Sequence, residues 1–466
     1  MMSSITRVAV IGGGISGLST AYYLKKESAR CNKEIEINII DRSNNLGGVF
    51  RSKQIEGFLL EHGPENWISY KPQALELVKE LGLEDQVIGS NDKKRRVFIL
   101  QQGRLQPMPE GMGFLVPVHF KPFWANKLIS FTGKARTLLE PLVPPSKKVL
   151  SVYSFLRRRI GKELTDKVAE PLISAIYGGD IRKLGIRSSL PDTYKMEQKF
   201  GSLWRGMRQQ PHQKSASPNP IFLTMKEGME QLIEGLLKQF PSKLIQRNIQ
   251  NLELHHESNS YQLVGDNFEQ TFDIIILATP AFSSAEIIKS VSPEAANILN
   301  QIDYSSTTIV YLAYNREQFS HPLDGFGFVT PKKESRVLDA CTWVSSKFEK
   351  RCPSNTVLLR CAIHNGRQKR VLPSDNTMQN EVHKELQKIM GFSCSPIFSS
   401  VIHNHRAMPQ FTLGHTERIA KIKHLLDLHS GLFLSSSFIG GVGIPDCIKT
   451  GKQTAKLALN SPRLIP

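Results

Sequence analysis

The hydrophobic pattern of the first forty residues predicts two strands with a helix between them. Residues 7–11 (RVAVI) form a short β-branched run of the kind found in buried strands. Residues 18–26 are rich in Ala, Leu and Tyr, which predicts a helix. A second apolar run, IEINII at 35–40, predicts the next strand and ends at Asp41. This order of elements indicates an α/β fold with a parallel sheet.

The turn before the first helix carries three glycines in the spacing G-x-G-x-x-G. Gly12 allows a tight turn, Gly14 lets the backbone approach a pyrophosphate, and Gly17 lets the helix pack closely against the strand. The helix N-terminus attracts the same anion. Asp41, 24 residues after Gly17, is placed to accept hydrogen bonds from a ribose. The predicted pyrophosphate site comprises Gly12, Gly13, Gly14, Ile15, Ser16 and Gly17.

A second glycine pair distinguishes between the dinucleotides that such a turn binds. It lies in the segment LGGVFRS at 46–52, soon after the ribose carboxylate. The arrangement resembles the pattern of FAD-binding proteins related to amine oxidases, and NAD-dependent dehydrogenases do not usually show it. The sequence therefore predicts FAD as the cofactor.

Composition narrows the class of protein. The chain has 466 residues, of which 40% are apolar and 22% charged, so a disordered or collagen-like chain is excluded, and the length suggests two to four domains. Six scattered cysteines without a C-x-x-C pair favour a reduced, cytoplasmic compartment. No apolar run approaches the roughly 18 residues of a membrane span, and no signal peptide is recognisable. Any membrane contact is therefore expected to be peripheral, on the inner face of the cell membrane.

The net charge of +18 is concentrated in one part of the chain. Residues 90–215 hold 24 Lys and Arg against 9 Asp and Glu, a local excess of +15. Two interpretations fit this stretch: contact with an anionic membrane surface, or a solvated charged face over an ordinary helical core. Nucleic acid is not expected as a partner, because no helix-turn-helix, RRM, KH or zinc-finger pattern accompanies the charge. The apolar side chains interleaved with the charges are Phe114, Leu115, Phe120, Phe123, Trp124, Leu128, Ile129 and Phe131.

Four further segments resemble elements of one family. They are FLLEHGPENW at 58–67, PLISAIYGGD at 171–180, QFTLGH at 410–415 and SSFIGGVGIPDCIKTG at 436–451. Each is similar to an element of the protoporphyrinogen and coproporphyrinogen oxidases, which are FAD-dependent flavoproteins of the amine-oxidase-like superfamily. The last segment has the form seen in bacterial members. The motifs extend from residue 12 to residue 451, so the resemblance covers essentially the whole chain.

The resemblance implies an activity. Enzymes of this family oxidise a porphyrinogen, either protoporphyrinogen IX or coproporphyrinogen III, to the porphyrin in haem biosynthesis, removing six electrons in three flavin cycles. Dioxygen is the expected electron acceptor, and both substrates remain open at this point. The propionates of the tetrapyrrole substrate give the basic stretch a third interpretation, in which one or two of its arginines bind them. An apolar cleft between residues 90–190 and 281–414 would hold the macrocycle.

The resemblance also assigns residues to the cofactor. Besides the pyrophosphate site, it places Asp41 and Arg42 at the ribose and Ile249, in a predicted strand, at the adenine. No residue is predicted to act as a catalytic acid or base, and no metal site is predicted. A homodimer is one hypothesis for the oligomeric state. The residues expected to border the flavin are Gly48, Val49, Gly63, Pro64, Glu65, Asn66, Val442, Gly443 and Ile444.

The predicted fold class is an α/β FAD-binding Rossmann-like domain with an α+β substrate domain and a mostly helical insertion. The FAD-binding domain would be discontinuous, built from residues 1–89, 215–280 and 415–466. Residues 90–190 would form the helical, basic insertion, with a membrane-facing surface as one hypothesis. The substrate domain would comprise residues 191–214 and 281–414.

Two other functions fit the same cofactor. One is another amine-oxidase-like flavoenzyme, such as an amine oxidase or a carotenoid desaturase. An amine oxidase would show an aromatic cage near the C-terminal motif, where Phe438 is the only nearby aromatic residue of the sequence. The other is a flavin-binding, membrane-associated scaffold without turnover. Cys447, inside the C-terminal motif, is interpreted as a buried packing residue and not as a covalent attachment point for flavin.

Overall fold

A computed structural model describes residues 5–113, 115–209, 220–334, 337–365 and 373–464. Phe114 and the predicted domain boundary between residues 214 and 215 lie outside the described residues. Within them, two large sheets and a helical region make up the molecule.

A five-stranded parallel sheet brings together distant parts of the chain. The central strand Thr6–Ile11 pairs in parallel with both neighbours, and Val10 lies opposite Ile39 on one side and Ile276 on the other. The strands are apolar over their buried length because helices cover both faces of a parallel sheet. In spatial order the strands are Ile245–Gln246, Ile35–Ile40, Thr6–Ile11, Ile274–Leu277 and Leu432–Leu434.

Helices from both ends of the chain pack together on this sheet. Ile15–Arg30 and Ile444–Leu459 approach each other closely at Gly451, where a Cβ would lie 3.0 Å from the Thr20 nitrogen. The Thr20 hydroxyl also bonds the Ser435 hydroxyl at 2.7 Å. The other helices around this sheet are Gln73–Glu80, Glu230–Leu237, His415–Asp427 and Ser437–Gly440.

Three small sheets flank the parallel sheet. One is the hairpin Ser52–Ile55 with Phe58–Glu61. A second has the order Trp67–Ile68, Phe222–Met225, Val87–Gly89. The third is the meander Glu253–Glu257, Ser260–Gly265, Phe268–Phe272.

The second large sheet has seven strands and is mixed. The pair Gly327–Val329 and Val97–Gln101 is parallel, and the other neighbouring strands are antiparallel. Two helices pack on it, Val344–Lys347 and Asp375–Met390. The helices Ala281–Ile287 and Pro293–Leu299 pack against each other, the first also on the strand Glu253–Glu257 and the second on the helix His415–Asp427. The strand order is Phe398–Pro409, Tyr304–Asn315, Thr356–His364, Ala340–Trp343, Gly327–Val329, Val97–Gln101 and Arg104–Pro107.

The basic stretch is mostly helical, but it begins with strands. Val97–Gln101 and Arg104–Pro107 are joined by the two-residue turn Gln102 and Gly103, both with positive φ, which is typical of a tight hairpin. They belong to the seven-stranded sheet, and a short hairpin, Met112–Gly113 with Val116–Pro117, follows. The helix Val152–Ile160 ends at Gly161, which has a φ of +85°.

The helical region is closed by helices from beyond residue 190. Pro191–Phe200 carries Glu197, which accepts a hydrogen bond from the Nε of Arg159 at 2.6 Å. Residues 191–209 therefore pack on the helical region. Its helices are Phe120–Ala125, Phe131–Leu138, Val152–Ile160, Lys162–Leu164, Glu170–Tyr177, Ile186–Ser189, Pro191–Phe200 and Leu203–Gln209, with a π-helical turn at Thr165–Ala169. The predicted fold class, a Rossmann-like α/β domain with an α+β sheet region and a helical region, is confirmed.

Candidate flavin-binding site

The glycine turn lies at the carboxyl end of the first strand. Gly12 has φ +110°, and a Cβ there would lie 2.9 Å from the carbonyl carbon of Ala278. A Cβ on Gly17 would lie 1.9 Å from the Gly12 oxygen, so both glycines are required by the fold itself. A Cβ on Gly14, in contrast, would meet no heavy atom within 4 Å. This open space lies at the start of a helix without acidic residues in its first turn, and it suits a pyrophosphate.

The carboxylate of Asp41 is held by backbone donors. The N–H of Gly13 donates to Oδ2 at 2.6 Å, and the N–H of Ser43 donates to Oδ1 at 2.7 Å. Each oxygen keeps a further lone pair for a ribose hydroxyl. Ile249 donates its N–H to the Asp41 carbonyl at 3.1 Å and thus lies beside the ribose acid. The predicted strand at Ile249 is wrong, because the chain turns at Asn248, which has φ +58°.

Three predicted cofactor segments form one continuous surface. The Gly47 N–H donates to the Gly13 carbonyl at 2.8 Å, which joins the second glycine pair to the first turn. A Cβ on Gly63 would lie 2.1 Å from the Val49 carbonyl oxygen, which joins the segment at 63–66 to the same surface. Val49 remains 40% exposed. Arg42, predicted at the ribose, is exposed next to Asp41.

The C-terminal motif begins a second helix at this surface. Gly443 precedes the helix Ile444–Leu459, and no side chain caps its N-terminus. The helix passes so close to the first helix that a Cβ on Gly451 would lie 3.1 Å from the Ser16 carbonyl oxygen. The predicted flavin-edge residues Val442, Gly443 and Ile444 therefore lie at the N-terminal end of a helix that packs against the helix following the glycine turn.

A lysine that the sequence did not indicate anchors this helix. The Nζ of Lys71 contacts both carboxylate oxygens of Asp446 at 2.7 Å. Burial, and to a smaller degree the charge of Asp446, raises the pKa of Tyr177, whose phenol donates to the Ser189 carbonyl oxygen. Lys71 and Asp446 are 375 residues apart, and no local pattern signals their contact.

The segment at 63–66 is supported from the substrate sheet. The predicted flavin residue Glu65 turns its side chain inward, where it is 8% exposed and forms an ion pair with Lys347 at 3.0 Å. Arg360 donates from Nη2 to the Gly63 carbonyl at 2.9 Å. Asn66 donates to the Glu65 carboxylate at 3.2 Å. Sequence reasoning missed Lys347 and Arg360. Glu65 stays a predicted flavin-bordering residue of the turn, with its carboxylate directed toward Lys347.

The motif at 410–415 makes buried hydrogen bonds that connect the regions around the site. The Gln410 amide donates to the Tyr177 carbonyl at 2.8 Å and to the Ser305 hydroxyl at 2.9 Å, which ties the helical region to the seven-stranded sheet. Burial lowers the pKa of His415 to about 4, so its ring is neutral at physiological pH. Its Nε2 lies 2.7 Å from the carbonyl oxygen of Phe438.

Among the described residues, no group of three or more His, Cys, Asp or Glu side chains could hold a metal ion. His403 and His405 lie on one strand with ring centroids 5.9 Å apart. The Nε2 of His403 is 2.8 Å from Asp375, an exposed carboxylate.

The surroundings of Cys447 indicate that the flavin is bound without a covalent bond to this thiol. The thiol is 4% exposed within the core of the parallel sheet, and burial raises its pKa to about 12. A thiol of this kind does not react, because the thiolate is the nucleophile. We expect acid precipitation to release all of the flavin into the supernatant, and Cys447→Ala to keep the same flavin content. Flavin that stays in the washed pellet of the wild type and leaves it in Cys447→Ala would contradict this.

Comparison with known proteins identifies the class. The family model described as flavin containing amine oxidoreductase matches residues 15–459. The chain therefore belongs to this family, and the prediction of FAD as the cofactor is confirmed.

Individual relatives narrow the comparison. A coproporphyrinogen III oxidase of Bacillus subtilis (strain 168) is 32% identical over 97% of both chains. A mitochondrial protoporphyrinogen oxidase of Nicotiana tabacum is 24% identical over 98% of this chain and 95% of its own. A crystal structure from Exiguobacterium sp. 255-15, of a candidate protoporphyrinogen oxidase, is 28% identical, covers 97% of this chain and 98% of its own, and has a TM-score of 0.84.

Proposed function

We propose that this protein oxidises coproporphyrinogen III to coproporphyrin III with FAD as cofactor. The observation that carries the proposal is the end-to-end likeness to the Bacillus subtilis coproporphyrinogen III oxidase, 32% identical over 97% of both chains. The protoporphyrinogen oxidase of tobacco is less similar, at 24% identity. Because the identity to the coproporphyrinogen III oxidase is higher, we propose coproporphyrinogen III and not protoporphyrinogen IX as the substrate. The proposed reaction belongs to haem biosynthesis.

The chain's own residues would bind and orient the cofactor. The open space at Gly14 would admit the pyrophosphate, and the Asp41 carboxylate would accept hydrogen bonds from the ribose. Val49 and the turn beginning at Gly63 would border the flavin, with the N-terminus of the helix Ile444–Leu459 facing its polar edge. FAD, when bound, supplies the acceptor for a hydride from the substrate and passes the electrons to dioxygen.

The substrate cleft would lie where the helical region meets the seven-stranded sheet. A Cβ on Gly178 would lie 3.1 Å from both the His364 Nδ1 and the Ser305 hydroxyl, so the two regions are in direct contact there. Coproporphyrinogen III carries propionates on all four pyrrole rings, and protoporphyrinogen IX carries them on two. Basic side chains at the edges of the cleft would therefore discriminate between the two substrates.

A paired assay tests the function. We expect the purified, FAD-loaded protein in air to form fluorescent porphyrin at least tenfold faster from coproporphyrinogen III than from protoporphyrinogen IX. Three molecules of hydrogen peroxide should appear for each porphyrin, because three pairs of electrons leave the substrate. Equal rates of porphyrin formation from the two substrates would contradict the proposed preference for coproporphyrinogen III. FAD-loaded protein that oxidises neither porphyrinogen would contradict the proposed function.

We also propose that a surface of the helical region contacts anionic membranes from the cytoplasmic side. Several apolar residues between 120 and 142 are exposed, above all Phe131 and Leu142 at 69% and 75%. An apolar cavity of about 140 Å³ lies beside them, lined in part by Phe120, Leu138 and Trp204. Exposed lysines interleaved with the apolar side chains complete this apolar and basic face, namely Lys121, Lys127, Lys147 and Lys148.

Two features of the structure bear on how this face could contact a membrane. Among the described residues, helices are too short or too polar to cross a bilayer. The arginines of the basic stretch differ in their surroundings. Arg159 is buried, whereas Arg182 pairs with Asp180 at 3.5 Å and Arg187 pairs with Glu417 at 3.4 Å near the surface. The exposed lysines interleaved with the apolar side chains supply charge that a lipid surface would meet.

Vesicle binding tests the apolar and basic face. We expect the protein to sediment with anionic vesicles more than with neutral ones, and the bound fraction to fall severalfold as salt rises to about 0.5 M, because surface charges are then screened. Phe131→Ser with Leu142→Ser should weaken binding. Leu428→Ser, which alters a side chain 71% exposed elsewhere, should leave it unchanged. Binding that is insensitive to salt and to the double substitution would overturn the proposal.

A further inference from the structure

Five ionisable side chains lie together behind the turn at residues 63–66. Four of them, Glu61, Glu65, Lys347 and Arg351, are buried, and Arg360 is partly buried. The two acids belong to the hairpin and turn beside the parallel sheet, and the three bases belong to the seven-stranded sheet and the segment before it. We name these five residues the buried ionic cluster.

The cluster contacts the turn directly. The Nη2 of Arg360 donates to the Gly63 carbonyl at 2.9 Å, and Lys347 pairs with the Glu65 carboxylate at 3.0 Å. The Thr224 hydroxyl donates to the Glu65 carbonyl at 2.8 Å. The same turn touches Val49 through Gly63, on the surface that would hold the flavin. The cluster thus lies directly behind the turn that would border the flavin.

The cluster also fixes the edges of the turn. The Glu61 N–H donates to the Tyr311 hydroxyl at 3.1 Å, and this hydroxyl lies 3.0 Å from the Glu61 carbonyl. Arg351 donates from Nη2 to the Thr224 hydroxyl at 2.7 Å and to the Met225 carbonyl at 2.8 Å. The charges are therefore held in place, so their field on a neighbouring group is constant.

The charges of the cluster do not cancel. It contains three bases and two acids, and burial raises the pKa of Glu61 to about 7 despite its hydrogen bonds from Ser52 and Met229. Burial would also raise the pKa of Glu65, but the charges of Lys347 and Arg360 outweigh it and hold that pKa below its usual value. At neutral pH the cluster consequently carries an excess positive charge in a region where solvent screens poorly.

We propose that the buried ionic cluster raises the reduction potential of the bound flavin. When a flavin takes up two electrons and one proton, it gains one negative charge, which nearby buried cations stabilise. The five residues would act on the flavin by their charge, from behind the turn, without touching it. The inference rests on flavin binding at this turn, and it is independent of which porphyrinogen is the substrate.

Opposite shifts in two variants test the proposal. The flavin potential is measured on FAD-loaded protein by stepwise reduction with dithionite against a reference dye, without porphyrinogen. Lys347→Met removes a positive charge and should lower the potential, and Glu65→Gln removes a negative charge and should raise it. We expect each change to move the ratio of oxidised to reduced flavin at least tenfold, which is about 30 mV for a two-electron couple. The double variant should return close to the wild-type value.

Matched controls separate charge from packing. Lys350→Met removes a lysine that is exposed and three residues away, and it should leave the potential unchanged. Lys347→Arg keeps the charge and should also leave it unchanged. If Lys347→Met does not yield FAD-loaded protein, Arg360→Gln removes another charge of the cluster and should lower the potential instead.

A purely structural role gives a different result. Loss of packing would weaken FAD binding in Lys347→Met and in Glu65→Gln alike, without potential shifts of opposite sign. Unchanged potentials in both variants, or shifts in the same direction, would overturn the proposal. Because no porphyrinogen is present, this outcome is distinct from failure of the proposed enzymatic function.

Discussion

Gly14→Val is expected to give a folded protein that no longer binds FAD. A Cβ at this position meets no protein atom within 4 Å, and the backbone, with φ −79° and ψ 177°, is an extended conformation that valine adopts readily. The added methyl groups would instead fill the space at the helix N-terminus where the pyrophosphate would lie. We expect the FAD affinity to fall at least about 100-fold, which is about 2.7 kcal/mol.

The measurement compares flavin content with folding. FAD bound per protein is read from flavin absorbance after desalting, and the thermal midpoint of the flavin-free form is compared with that of flavin-free wild type. Gly17→Ala is the matched control, because its Cβ would lie 1.9 Å from the Gly12 carbonyl oxygen. It should destabilise even the flavin-free protein, by about 3 kcal/mol or more. Full flavin content in Gly14→Val would refute the assignment of the pyrophosphate site.

Arg159→Met is expected to destabilise the helical region strongly. The Arg159 side chain is 0% exposed, and it donates to Glu197 at 2.6 Å and to Glu140 at 3.1 Å. Glu140 and Glu197 are also buried, and without Arg159 their negative charges would lose a buried partner. Breaking a buried ion pair in this way costs about 3–5 kcal/mol. Arg158, which also contacts Glu197, would compensate only in part.

Urea unfolding measures this effect. Arg157→Met is the control, because Arg157 lies two residues away on the same helix and is exposed. We expect the control to change the free energy of unfolding by no more than about 0.5 kcal/mol. Similar unfolding midpoints for the two variants would mean that Arg159 does not carry an essential buried charge.

Local patterns were sufficient for the nucleotide-binding half of the molecule. The β-branched runs at 7–11 and 35–40 form the predicted parallel strands, and Gly12 and Gly17 pack as the motif requires. The requirement for glycine at 17 follows from nearby residues, since a Cβ there would meet the Gly12 oxygen, whereas a Cβ on Gly12 would meet the backbone of Ala278, a residue distant in sequence. The same reasoning failed at Ile249, because the strand Ile245–Gln246 ends three residues before it and the chain turns at the left-handed Asn248.

The surroundings of the basic residues at 90–215 were the feature that the sequence predicted least well. Residues 90–215 suggested one basic surface, yet Arg159 is buried against two carboxylates and Arg182 and Arg187 are paired. Composition counts charges without their partners, and whether an arginine faces solvent or an acid depends on how helices pack. The exposed lysines between 121 and 148 lie closest in sequence to the exposed apolar side chains, so they are the basic residues proposed for the membrane contact.

The sequence by itself determined the cofactor, the family and the first two core strands, because each depends on short segments whose chemistry is local. Only the tertiary structure decided how these segments are held. Glu65 and Lys347 are 282 residues apart, and Lys71 and Asp446 are 375 residues apart. Their pairing arises when two sheets and two terminal helices pack together. Side chains distant in sequence then share one region of low dielectric, where a single charge acts strongly on its neighbours.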